Sequence, residues 1–151
     1  MHHGRYSKRK DIGGVLAAAP SAVPSPYTKF EMPHALDTDE IHEIVGFYGN
    51  AARIAKEAGA DGIEICTNSG YLIGQFFSPV TNLRDDEYGG SFENRMRFYF
   101  EVASAVRDAV GEDFAVTTRI GGSDLIPGSN TLEDAVKIAK ALNVSVEYLV
   151  T

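Results

Sequence analysis

The sequence predicts an α/β fold built on a parallel sheet, and three observations point to it. Apolar residues switch between a helical period and short β-branched runs, in the order helix, strand, helix, strand, helix, strand. Each helical stretch is long enough to be the crossover that parallel strands require. No glycine-rich dinucleotide turn follows a strand: neither Cys66-Thr67-Asn68-Ser69-Gly70 nor Arg119-Ile120-Gly121-Gly122 has that spacing.

Residues 1–37 hold Pro20, Pro24, Pro26 and Pro33 with little periodicity, and read as loop. Asp37 with Glu40 three residues later is a capping-box pattern. Ile41, Ile44, Val45, Tyr48, Ala52 and Ala55 follow at helical spacing, and Gly59 is placed to end the helix in the left-handed cap. Residues 61–66 read as a strand, followed by a long loop rich in Gly, Pro, Asn and Asp. Ser91 caps a helix through Met96, Phe100, Ala103, Val106 and Val110 to Gly111. Residues 114–120 are the second strand, 131–142 a third helix, and 146–150 a terminal strand.

Composition bounds the function. A hydrophobic fraction of 44% and a charged fraction of 23% are those of a globular domain, and no apolar run reaches the length of a membrane span. The net charge of −7 opposes a nucleic-acid or anionic-membrane partner. The basic run Lys8-Arg9-Lys10 precedes Asp11 and reads as a solvated loop. Residues 140–149 resemble the closing helices of a helix-turn-helix domain, but the earlier helices are missing upstream and the acidic charge opposes DNA binding. The start lacks the apolar stretch of a secretory signal. A single cysteine, Cys66, allows no internal disulfide and suits a reducing cytoplasm.

The stretch from Ser78 to Arg95, Ser-Pro-Val-Thr-Asn-Leu-Arg-Asp-Asp-Glu-Tyr-Gly-Gly-Ser-Phe-Glu-Asn-Arg, is similar to the loop after the fourth barrel strand in Old Yellow Enzyme and its relatives, the dienoyl-CoA reductases among them. His3-Gly4-Arg5-Tyr6-Ser7, residues 19–22, 59–65 and Gly70-Tyr71-Leu72-Ile73 resemble family segments in family order. The resemblance implies part of an FMN-binding (β/α)8 barrel, from about the end of the third strand through the sixth. A complete barrel takes about 250 residues. The whole of residues 1–151 then reads as one incomplete domain, with 1–37 a loop region and 38–151 its βα units. A truncated reading frame, inactive alone and self-associating through open sheet edges, is the matching expectation.

In the family, NAD(P)H reduces the flavin, reduced flavin passes hydride to the β-carbon of an activated alkene, and a tyrosine protonates the α-carbon. The family pattern Glu-Ile-His-x-x-His/Asn-Gly-Tyr is matched here by Glu64-Ile65-Cys66-Thr67-Asn68-Ser69-Gly70-Tyr71. The resemblance makes Tyr71 the proton donor and puts Cys66 and Ser69 at the two carbonyl-holding positions. A thiol donates weakly, so Cys66 polarises a carbonyl poorly and is equally readable as a small buried hydrophobe. These two changes resemble the branch that also carries an iron–sulfur cluster, which one cysteine cannot ligate. Arg119 matches the arginine at the flavin-ring edge; an ion pair with Glu64 is the alternative. Asp85-Asp86-Glu87, flanked by Arg84, Arg95 and Arg97, is expected to brace its loop and not to hold a metal. The alkene substrate and the choice of NADH or NADPH are not encoded in any of these residues.

Overall fold

The computed structural model of the chain describes residues 3–68 and 70–142. Among these residues the strands and α-helices run β1 (Ala18–Ala19), β2 (His34–Ala35), α1 (Thr38–Glu57), β3 (Gly62–Thr67), α2 (Leu72–Phe77), α3 (Phe92–Val110), β4 (Ala115–Ile120) and α4 (Leu132–Ala141). The strand expected at 146–150 lies outside the described residues.

Asp37 starts α1 as its side chain predicts. The Glu40 N–H donates to Asp37 Oδ1 at 2.8 Å, and the Asp37 N–H donates back to Glu40 Oε2 at 2.9 Å, closing the capping box. Gly59, at φ +87°, ends the helix one residue past its C-cap. Ser91 caps α3, accepting from the Asn94 N–H at 3.2 Å. Thr131 caps α4 through a second box with Asp134.

β3 and β4 pair in parallel, with Ile63 opposite Val116, Ile65 opposite Thr118 and Cys66 opposite Arg119. Side chains alternate across a strand, so this register sorts the sheet into two faces. Ile63, Ile65, Val116 and Ile120 pack with Ile41, Ile44, Ala52, Phe98, Val102 and Val106 of α1 and α3 in one apolar cluster. Tyr99 seals this face, its hydroxyl 2.8 Å from Thr118 Oγ1. Burial of each such large side chain contributes roughly 1.5–3 kcal/mol. The other face carries Glu64, Cys66, Thr117 and Arg119, and is open.

Two elements depart from expectation. The stretch between Thr67 and Ser91, expected as loop, contains α2, six residues buried on every side. A helix with no polar face has no amphipathic period to read. The proline-rich start also pairs with itself: Ala18 and Ala19 lie parallel to His34 and Ala35, a ribbon too short to alternate.

The charged loop after α2 is braced as expected. Asn82 Nδ2 donates to the Phe76 and Tyr88 carbonyls, each at 2.7 Å. Arg84 grips Asp86 and donates to the carbonyls of Pro20, at 3.1 Å, and Leu36. Arg95 holds the Phe77 carbonyl at 2.7 Å, and Arg97 that of Glu87 at 2.8 Å. The Arg84 hydrogen bonds, first among several causes, hold the Asp86 carboxyl below the usual range. Tyr88, buried at its centre, donates to Glu101 Oε2 at 2.9 Å and meets His42 Nε2 at 3.0 Å.

Candidate active site

Chain direction brings the candidate residues to one end of the sheet. Cys66 and Arg119 are register partners one residue before the carboxyl ends of β3 and β4, so both leave the open face. Arg119 Nη2 lies 2.7 Å from Glu64 Oε1, the alternative partner the sequence allowed. That pair is 59% and 44% exposed, so water screens it and it adds little stability. A guanidinium offers five donors. The remaining N–H groups of Arg119 meet no acceptor among the described residues, and an exposed cation with spare donors fits the polar edge of a flavin ring. Arg119 could therefore hold the polar edge of such a cofactor.

Tyr71 follows β3 on the same side and is the N-cap of α2, its N–H donating to the Asn68 carbonyl at 3.2 Å. Its ring lies 5.2 Å from that of His3, tilted by 46°. Together with Tyr6, Ser7, Lys8, Asp11, Ile12 and Tyr27 these two rings line a cavity of about 690 Å³. Ligand sites commonly span roughly 300–1,000 Å³. Tyr6 rests on Gly70, where an added Cβ would come within 2.1 Å of the ring at φ +88°. A side chain at 70 would expel Tyr6.

Gln75, buried in α2, ties the two walls of this cavity together. Its Nε2 donates to the Gly70 carbonyl at 2.6 Å and to the His3 carbonyl at 3.2 Å, while Oε1 accepts from the Arg5 N–H at 3.2 Å. The three bonds hold the loop at 3–8 against the Tyr71 turn.

Cys66 is half-buried beside Tyr48 in a cleft of about 320 Å³ along the β3 edge. Burial first, and Cys66 second, push the Tyr48 phenol up to about 12. Ser69 lies outside the described residues. Three contributors escaped the sequence reading: Gln75, Tyr27 and Lys8. Lys8 is a correction. Expected as part of a solvated loop, it is half-buried on the cavity wall, its Nζ 4.8 Å from the centre of the Tyr27 ring. No local signal marks Gln75 or Tyr27, whose partners are distant in sequence.

The model of the NADH:flavin oxidoreductase / NADH oxidase family matches residues 1–149. The chain belongs to this family. A metal reductase of Desulforamulus reducens is 46% identical over 142 residues, 94% of this chain and 21% of that protein. An NADH oxidase of Thermoanaerobacter brockii is 45% identical over 143 residues, 94% of this chain and 22% of that protein. The solved complex of 2-naphthoyl-CoA reductase with 2-naphthoyl-CoA superposes with a TM-score of 0.87 at 37% identity, over 93% of this chain and 23% of that one. The chain thus spans about a fifth of each relative's length. Within this flavin oxidoreductase family its βα units are one sector of a parallel α/β barrel, with α1 and α3 outside and Arg119 on the inner face.

Proposed function

We propose that this chain is the sector of an FMN-dependent NAD(P)H oxidoreductase that supplies the proton donor and one flavin contact for reducing activated carbon–carbon double bonds. The observation that carries this reading is that Cys66 and Arg119 stand at the carboxyl ends of adjacent parallel strands, with Tyr71 in the turn that follows β3, on the side where barrel enzymes keep their chemistry. FMN, when bound, supplies the hydride, drawn from NAD(P)H. Tyr71 supplies the proton: its Oη–H bond breaks as a C–H bond forms at the substrate α-carbon, and water restores the phenol. A phenol carries an O–H that it can donate within hydrogen-bond reach, which suits a transient donor. Arg119 would hold FMN through its guanidinium, a fixed positive charge that suits a flavin on which negative charge develops. Cys66 is a weak donor to a substrate carbonyl, so Ser69 is left as the stronger of that pair.

The test is a barrel completed with the remaining strands of the Thermoanaerobacter relative, purified with FMN and offered cinnamaldehyde and NAD(P)H. Saturation of the C=C bond with the aldehyde intact is expected. A flavin-loaded barrel that spends NAD(P)H on oxygen and leaves every alkene untouched would sink the reading.

The open sheet face favours a second reading, in which this chain is a non-catalytic remnant that associates with copies of itself. Each strand of the β3–β4 pair has one partner among the described residues, and a free edge invites pairing. Sedimentation separates the two readings. A mass that rises with concentration supports the remnant; a constant monomer mass opposes it.

A further inference from the structure

Charge is divided unevenly along the chain. Residues 1–36 hold five Lys or Arg and two Asp or Glu, a net of +3, while the remainder holds nine and nineteen, a net of −10. The same opening stretch presents Val15, Leu16, Phe30 and Met32 to solvent. Phe30 is 65% exposed and stands at φ +63°, a left-handed conformation that strains a bulky residue. Its N–H donates to the Ser25 carbonyl at 2.9 Å, which fixes the ring outward of a folded turn. Arg9, Leu16 and Met32 share a small cleft of about 230 Å³. Lys10 and Lys29 flank these groups in sequence, are exposed, and form no ion pair among the described residues.

An acidic stripe adjoins this basic, apolar surface. The Arg9 N–H donates to Glu31 Oε2 at 2.9 Å, and His34 Nε2 lies 2.7 Å from Glu40 Oε1. A short run of contacts therefore leads from the basic turn to the first turn of α1. There Asp39 and Glu43, four residues apart, share an exposed face, with Phe47 one turn further on. Neither carboxylate has an ion-pair partner among the described residues.

We propose that these adjoining surfaces form a two-fold interface between two copies of this chain, the basic apolar loop of each seated on the acidic stripe of the other. A two-fold axis makes every contact occur twice, so a face that holds both charges side by side is complementary to itself. Opposite charges steer the encounter and fix its register, while the exposed apolar groups supply area. The occupant is a second copy and not a nucleic acid or an anionic membrane, because the acidic stripe beside the loop repels either. The interface uses neither Tyr71 nor the edges of the β3–β4 pair, so it stands apart from both readings of the chain's function.

Sedimentation of the purified chain in low and high salt tests this. A monomer–dimer equilibrium is expected at about 20 mM salt, with a dissociation constant raised about tenfold at about 500 mM, where exposed charges are screened within a few ångströms. Lys10→Glu with Lys29→Glu makes both surfaces acidic, and Asp39→Lys with Glu43→Lys makes both basic. Each double variant alone should stay monomeric, and an equimolar mixture of the two should restore the dimer. Circular dichroism checks that each variant is folded, and the salt series on the unaltered chain stands without them. A monomer at low salt would overturn the proposal. So would association that survives high salt and both double variants, the behaviour of pairing sheet edges, or masses beyond the dimer, which a two-fold contact does not build. Folded variants that dissociate singly and stay apart when mixed would overturn the pairing of these two surfaces.

Discussion

Replacing the Tyr71 hydroxyl by hydrogen removes one transferable proton and leaves the ring against His3. In the completed barrel, Tyr71→Phe should slow alkene reduction by on the order of 10²–10⁴, the usual worth of a general acid. Flavin reduction by NAD(P)H should not change, because no proton from Tyr71 enters that half-reaction. Arg119→Ala should do the reverse, weakening flavin retention and slowing flavin reduction while leaving the proton donor in place. Stopped-flow records of each half-reaction separate the two. A Tyr71→Phe barrel with both half-reactions intact would return the tyrosine to a packing role. How much of this site the sequence discloses depends on distance along the chain. Tyr71, Cys66 and Arg119 sit in local motifs, and the Glu64–Arg119 pair follows from two strands being neighbours. Gln75 meets His3 and Arg5 some seventy residues away. Lys8 beside Tyr27 likewise depends on how the first loop folds back, and nothing in Lys8-Arg9-Lys10 announces it.

Among the elements, those with polar caps and two-sided helices were legible, and those buried all round were not. Asp37, Ser91 and Thr131 mark their helix starts because each side chain satisfies an amide that would otherwise lack a partner. Leu72–Phe77 hides because six consecutive buried residues carry no contrast. The loop between α2 and α3 makes two predictions. A Cβ at Gly89 would stand 2.2 Å from the Arg84 carbonyl oxygen, an immovable backbone atom. Gly89→Ala should therefore destabilise the chain by about 1–3 kcal/mol in a urea titration, the cost of forcing atoms into a packed site. The Asp86 carboxyl is depressed in the folded chain, chiefly by the Arg84 hydrogen bonds. A depressed carboxyl contributes stability that is complete above the unfolded value, about 3.9, and is lost as pH falls from there through the folded one. Burial raises Asp134, but the Thr131 amide and hydroxyl, with Lys137 and Arg95, outweigh it and lower that group too. Circular dichroism should show acid unfolding spread below pH 4, with Asp86→Asn flattening part of the slope. An acid limb unaltered in that variant would show that the bracing carries no stability.

At the scale of the molecule, α1 and α3 cover one face of a two-stranded sheet whose other face awaits a barrel. Arg119 is the one flavin contact proposed among the described residues, and a single exposed guanidinium holds a ligand weakly. The chain alone should bind FMN more weakly than about 1 µM, a free energy beyond the reach of one charged hydrogen bond. Flavin fluorescence titration reads this directly, and tighter binding would mean that this sector contains a more complete flavin site. Gln75 has a consequence for anyone recombining such barrels. Loops are the usual unit of exchange between relatives, moved one at a time on a constant frame. Here the loop at 3–8 and the turn at 70–75 share one buried amide, so grafting either alone strands a donor and an acceptor in a dry interior. Recombination that respects this seam moves both loops together, and with them His3, Tyr6, Lys8 and Tyr71, which line one cavity.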